Sequence, residues 1–138
     1  HLFCAPGNAG IAGQATCAPV TADDIAGLKD FVVREKIDLT VVGPEQPLSD
    51  GIVDVFEARG LKIFGPARAA AQLEASKVFA KEFMARHGIP TARFGAFERY
   101  DEAQHALEQY PLPVVIKASG LAAGSTTYPP CSRISRVA

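Results

Sequence analysis

Two short apolar runs, DLTVV at residues 38–42 and LKIF at residues 61–64, each stop at a Gly-Pro pair, Gly43-Pro44 and Gly65-Pro66. Such runs, rich in β-branched residues and ended by turn residues, read as buried strands entering loops. Between them Ile52, Val53 and Phe56 recur at helical spacing, Ser49 is placed as an N-cap, and Gly60 is placed to end the helix in the left-handed conformation. The unit is therefore β-loop-α-β, with parallel strands and a crossover that is almost always right-handed. Ligands of open parallel sheets bind beyond the carboxyl ends of the strands, and here Gly43, Pro44 and Glu45 stand at such an end.

At 138 residues the chain has room for one ordinary domain or pieces of two. Hydrophobic residues at 48% against 21% charged residues argue for a folded core, and a net charge of -1 argues against nucleic-acid and acidic-membrane partners. No apolar run approaches the roughly 20 residues that span a bilayer. Cys4, Cys17 and Cys131 are widely separated, with no C-x-x-C pair, so neither a disulfide framework nor a zinc site is indicated and a reduced, cytoplasmic setting is expected. The sequence starts at His1 and its single methionine is Met84, which leads to the expectation of a fragment or a processed product.

Residues 2–4 read as the end of a strand that leads into Pro6-Gly7-Asn8-Ala9-Gly10. This turn is either a tight loop or a concavity of backbone N–H groups able to hold an anion. Thr21 with Asp24 is expected to form a capping box for a helix whose face is Ile25, Leu28 and Val32. Residues 67–75 are alanine-rich and predicted helical, and Ser76 is predicted to cap a further helix running to about His87, stopped by Gly88 and Pro90. On it Val78, Phe79 and Phe83 form the apolar face, while Lys77 and Lys81 lie four apart, either as a solvated basic face or as a pair whose repulsion a bound anion relieves. His87 and His105 read as surface or packing residues.

Residues 93–97 are predicted as a strand and residues 101–110 as a helix. Residues 113–116, PVVI, are predicted as a strand buried on both faces that ends at Lys117, a cation that must snorkel to water or meet an anion in a cleft. The following GLAAG, residues 120–124, is small enough to let backbone approach a phosphate. From Ser125 the sequence STTYPPCSRISRVA has no clear period and is expected to be a disordered tail or a divergence.

Taken in order, CAPGNAG (residues 4–10), DLTVVGPEQPL (38–48), GLKIFGP (60–66), AAQLEASKVFAKEF (70–83), HGIPTA (87–92) and VVIKASGLAAG (114–124) resemble the phosphoribosylamine-glycine ligase family, ATP-grasp enzymes of purine synthesis also called glycinamide ribonucleotide synthetases. The resemblance implies an α/β fold: an amino-terminal parallel-sheet domain over residues 1–75, then the beginning of an ATP-grasp domain over 76–124, then a tail over 125–138 outside the family pattern. It implies that Lys77 and Lys117 contact ATP phosphates, with Gly120 and Gly124 in the loop covering them. It implies that Gly7, Asn8, Gly10, Pro44 and Glu45 line the phosphoribosylamine side of the cleft. No catalytic residue is assigned. The implied substrates are glycine, 5-phosphoribosylamine and ATP, with Mg²⁺ or Mn²⁺ in the complete enzyme.

Two departures qualify what this chain does by itself. The family's opening strand and its Gly-Gly-Arg-Glu-His motif would precede His1, and Ser119 and Ser125-Thr126-Thr127 stand where the family has Asp and Lys-Gly-Val. The metal-holding carboxylates are expected further downstream, so the chain alone is expected to be inactive. The alternatives are another ATP-grasp carboxylate-amine ligase or carboxylase, and a non-catalytic α/β binding fragment.

Overall fold

Strands β3 (Thr40–Val41) and β4 (Ile63–Phe64) pair in parallel, Thr40 opposite Ile63 and Val41 opposite Phe64. The computed structural model describes residues 1–111, 113–117 and the backbone of 126–128, and it divides into two units, His1–Ala75 and Ser76–Ala138. In the first unit a second parallel pair precedes this one: β1 (Phe3–Cys4) lies beside β2 (Thr16–Cys17).

The helical stretch between β3 and β4 is two helices rather than one, α2 (Glu45–Asp50) and α3 (Ile52–Glu57). Ser49 is not the N-cap: it sits inside α2, its hydroxyl donating to the Gln46 carbonyl at 2.9 Å. The N-cap is Pro44, with φ −69° and ψ 145°. Pro47 falls in the first turn, where a backbone N–H would have no helical acceptor, so the ring costs the helix nothing there. Gly51, at φ +94°, ends α2 and begins α3. Only glycine takes such a conformation without strain, which is why the helix breaks at that point. Gly60, at φ +68°, closes the connection to β4 as its position predicted.

Helix α1 (Ile25–Arg34) is capped by Asp24 itself, whose carboxylate accepts from the Gly27 N–H at 2.9 Å. The expected Thr21–Asp24 capping box is therefore one turn out of place. Thr21 instead donates to Asp23 and holds that carboxyl below its ordinary value. Helix α4 (Arg68–Ala75) is tied to α3 by Asp54, which accepts from the Arg68 N–H at 2.8 Å, and α4 packs most extensively on α2.

The core of this unit joins Val32 of α1, Leu48 of α2, Ile52, Val53 and Phe56 of α3, and Ala71 of α4, with Ile25, Leu28, Ile37, Val42, Leu61 and Ile63 packed around them. Phe56 is completely buried. Phe3 of β1 meets Phe31 of α1 edge to face, with ring centroids 5.5 Å apart. Alternation along the strands turns Thr40 and Ile63 inward, while Val41 and Phe64 are 67% and 70% exposed. Among the described residues, then, this pair is buried on one face only, not on both.

In the second unit α5 (Lys77–Arg86) starts at Ser76, whose hydroxyl accepts from the Phe79 N–H at 3.2 Å. Phe79 stacks on Phe83, and Phe83 on His87, which makes His87 a packing residue. The stretch 93–97 is not a strand. Its side chains pack locally instead, with the Arg93 guanidinium 4.6 Å from the centre of the Tyr110 ring, beyond α6 (Tyr100–Leu107). Strand β5 (Val114–Ile116) pairs antiparallel with β6 (Thr126–Tyr128), so three residues of the expected tail belong to a hairpin ladder. Val115 and Ile116 are 52% and 37% exposed, and the expectation of a strand buried on both faces does not hold among the described residues. No helix among the described residues is long and apolar enough to cross a membrane.

Candidate functional site

The loop after β1 is built by one side chain. Asn8 Oδ1 accepts from the N–H groups of Gly10 and Ile11 at 2.9 and 3.0 Å, and the Asn8 carbonyl accepts from Ile11 and Ala12, both at 3.0 Å, starting a short 3-10 turn at Ile11–Gly13. Asparagine favours such turns because its amide imitates a backbone carbonyl. Gly7 lies at φ +75°, and a Cβ there would stand 2.5 Å from Cys17 Sγ, so both conformation and space require glycine. Cys17 in turn reaches the Asn8 carbonyl, Sγ to O 3.7 Å.

This arrangement decides which amides can meet a ligand. Gly10, Ile11 and Ala12 donate within the loop, whereas the N–H groups of Gly7, Asn8 and Ala9 have no partner among the described residues. Any anion held by this loop would therefore meet the N–H groups of residues 7–9. Beside it lies a shallow hollow of about 250 Å³ lined by Leu2, Phe3, Cys4, Gly10, Ile11, Gln14 and Ala15.

Pro44 and Glu45 follow β3 at its carboxyl end and are exposed, Glu45 in the first turn of α2. Among the described residues no hydrogen bond or ion pair joins them to the loop 6–10. A larger groove of about 500 Å³, lined by Lys29, Asp30, Val33, Arg34, Arg59 and Leu61, touches the segment that enters β4 rather than the one that leaves it. It lies at the end of the strands opposite to Pro44 and Pro66.

In the second unit Lys77 is the half-buried first residue of α5, and Lys117 is exposed directly after β5. Lys81 has a structural partner: its Nζ donates to Thr91 Oγ1 at 2.6 Å and lies 6.0 Å from the centre of the Phe94 ring. Gly120 and Gly124 lie outside the described residues. Among the described residues no group of three or more His, Cys, Asp or Glu side chains is placed to hold a metal ion.

Sequence reasoning missed β2 and the hold of Cys17 on Asn8. A strand of two residues carries no periodicity, and the only signal was an in-register cysteine pair that spacing along the chain cannot reveal.

The short parallel strands with helices between them, followed by a second α/β unit, fit the amino-terminal region of an ATP-grasp ligase, and the comparisons with known proteins identify that class. Residues 1–74 match the profile described as "Phosphoribosylglycinamide synthetase, N domain", and residues 75–133 match "Phosphoribosylglycinamide synthetase, ATP-grasp (A) domain". The chain belongs to the phosphoribosylglycinamide synthetase family. It is 54% identical over 127 residues to the phosphoribosylamine-glycine ligase of Caldanaerobacter subterraneus subsp. tengcongensis, covering 92% of this chain and 30% of that protein. It is 54% identical over 125 residues to the enzyme of the same name from Escherichia coli K12, covering 89% and 29%. The chain thus spans about 30% of the length of the curated relatives it matches.

Among solved structures, the phosphoribosylamine-glycine ligase of Thermotoga maritima matches with a TM-score of 0.66 at 30% identity, over 91% of this chain and 29% of that one. The N5-carboxyaminoimidazole ribonucleotide synthetase of Thermus thermophilus matches with the same TM-score at 21% identity, over 91% and 32%, a likeness of fold.

Proposed function

We propose that this chain supplies part of the amino-terminal region of a cytoplasmic ligase that joins glycine to 5-phosphoribosylamine at the expense of ATP in purine synthesis. Residues 1–75 serve as the amino-terminal domain and residues 76–124 as the beginning of the ATP-grasp domain. The observation that carries this reading is the order of the two family matches, an N domain and then an ATP-grasp domain, along one uninterrupted stretch.

In this reading ATP phosphorylates the glycine carboxylate. The amine of 5-phosphoribosylamine then attacks the acyl phosphate, forming the amide and releasing phosphate and ADP. Charge neutralisation and positioning supply most of the catalysis of such transfers. Lys77 and Lys117 place positive charge on the ATP phosphates, and Gly120 and Gly124 let the covering loop approach them. A divalent cation, Mg²⁺ or Mn²⁺, shares that role in the complete enzyme. The loop bearing Gly7, Asn8 and Gly10 offers the residue 7–9 donors to the phosphoribosylamine, with Pro44 and Glu45 at the neighbouring strand end. The N–H groups of residues 7–9, without acceptors among the described residues, and the exposed Lys117 support these assignments.

The test is a chimera in which residues 1–117 replace the matching segment of the Escherichia coli relative, assayed for ADP release that requires both glycine and 5-phosphoribosylamine. Activity is expected, and Lys117→Ala should weaken ATP binding by about tenfold or more, the scale of a lost charge-assisted contact, with the thermal midpoint little changed. A folded chimera without activity, or equal nucleotide affinity in the variant, refutes the assignment.

A further inference from the structure

We infer that Cys4 and Cys17 form a reactive dithiol, a modification site at which a small-molecule disulfide closes a Cys4–Cys17 bond and thereby releases the loop 6–10. The two residues stand directly opposite each other in parallel register, Cys4 on β1 and Cys17 on β2. Neighbouring strands lie about 4.8 Å apart, inside the roughly 4.4–6.8 Å of Cα separation that a disulfide spans. Residues opposite one another in a parallel pair project to the same face of the sheet, so the two Cβ atoms do not diverge. Both thiols are free and half-buried, which leaves them open to a small reagent.

What makes the pair more than two neighbouring thiols is the load that Cys17 carries. Its S–H donates to the Asn8 carbonyl at 3.7 Å, and Gly7 is seated so closely over Cys17 Sγ that a Cβ would come within 2.5 Å of it. The sulfur is the floor on which residues 7 and 8 rest. A disulfide sulfur has no hydrogen to donate, so closing the bond removes the contact to Asn8. It also draws Cys17 Sγ toward Cys4, leaving space beneath Gly7. Asn8 then keeps only the bonds within its own loop, from Gly10, Ile11 and Ala12, with no support from β2.

The exchange balances without any further reactant. The Cys17 thiolate attacks one sulfur of the reagent, breaking its S–S bond and expelling one thiol. The Cys4 thiolate then attacks Cys17 Sγ in the mixed disulfide and expels the second. The protein dithiol loses two electrons and two protons, and the reagent gains them as two thiols. Any effect on phosphoribosylamine binding rests on the function proposed above. The bond and the release of the loop do not, and the experiment reads only these.

The full chain carrying Cys131→Ser, which removes the one other cysteine, is treated with oxidised glutathione. It is followed by non-reducing peptide mapping and by amide hydrogen exchange at Gly10, Ile11 and Phe56. A peptide pair joined through Cys4 and Cys17 is expected, with exchange at Gly10 and Ile11 faster by about threefold or more, the scale of one weak hydrogen bond, and Phe56 unchanged as the control for the core. Cys17→Ser retains a hydroxyl donor and should keep the slow exchange while no longer responding to the reagent. Cys4→Ser should likewise be unresponsive. Separate glutathione adducts without the Cys4–Cys17 link, or the link with unchanged exchange at Gly10 and Ile11, would overturn the inference.

Discussion

Phe56 is the side chain on which the first unit depends most, and Phe56→Ala is its sharpest test. The ring is fully buried against α1, α2 and α4 and the inner face of the β3–β4 pair. Removing a buried phenyl ring costs about 3–5 kcal/mol, the lost transfer energy plus the cavity that the neighbours fail to fill. Folded domains hold about 0.05–0.15 kcal/mol per residue, so a unit of the size His1–Ala75 has roughly 4–11 kcal/mol in all. The substitution therefore removes between about a quarter and the whole of that stability. Phe56→Leu, which keeps most of the volume, should cost about 1.5 kcal/mol or less. Urea titration followed by far-ultraviolet circular dichroism on the full chain measures both. The alanine variant should unfold at a much lower midpoint or be unfolded without urea, with the leucine variant between it and the parent. A loss below about 1 kcal/mol for Phe56→Ala would refute the packing argument, because no fully buried ring in a shared core can be that dispensable.

Three further outcomes follow from individual contacts. Thr40 Oγ1 is buried without a partner among the described residues, so Thr40→Val, which keeps the shape and drops the hydroxyl, should stabilise the chain by about 1 kcal/mol in the same titration. Gly51→Ala forces a side chain into φ +94°, with Arg68 Cδ 3.3 Å from the new Cβ; it should destabilise by about 1–2 kcal/mol, and a neutral result would mean that the α2–α3 break is not held by Gly51. Arg99 donates to Asp101 and holds that carboxyl below its ordinary value, so the pair stabilises α6 above the usual carboxylate range and the benefit is lost as pH falls through the lowered value. Both groups are exposed and the effect is small. NMR titration should show the Asp101 midpoint rising in Arg99→Ala, and an unchanged midpoint would dismiss the ion pair as its cause.

The parts of the fold that were legible in the sequence are those with a local physical cause. Ser76 caps α5, Gly60 closes its turn with positive φ, and β3 and β4 pair in parallel, because capping, glycine conformation and strand patterning act over a few residues. Ser49 misled because it has the chemistry of a cap, while the helix start was set by the geometry of Pro44 and the tolerance of Pro47 in a first turn. Residues 93–97 misled in the other direction. Their apolar and aromatic members suggest a strand, yet a strand needs a partner, and partners are a property of the tertiary fold. The same limit hid the site's second layer: the Asn8 turn was readable in Pro6-Gly7-Asn8, but its support by Cys17 comes from a strand pairing that brings together residues far apart in sequence.

Lys81 of α5 has a structural role that spacing along the sequence does not show. Lys77 and Lys81 lie four apart, and by spacing alone either serves a bound anion as well as the other. Lys81, however, is committed to Thr91 at 2.6 Å and to the face of Phe94, contacts that fasten the bend after α5 to the helix itself. An ammonium engaged in this way has fewer donors left for a phosphate and would have to surrender a hydrogen bond to meet one. Repulsion between Lys77 and Lys81 therefore needs no anion to relieve it, because the Lys81 ammonium is drawn toward the bend. The proposed phosphate contacts of Lys77 and Lys117 rest on position: the first residue of a helix capped by Ser76, and the first residue past a strand end. Both are places where the local structure ends and a ligand can begin.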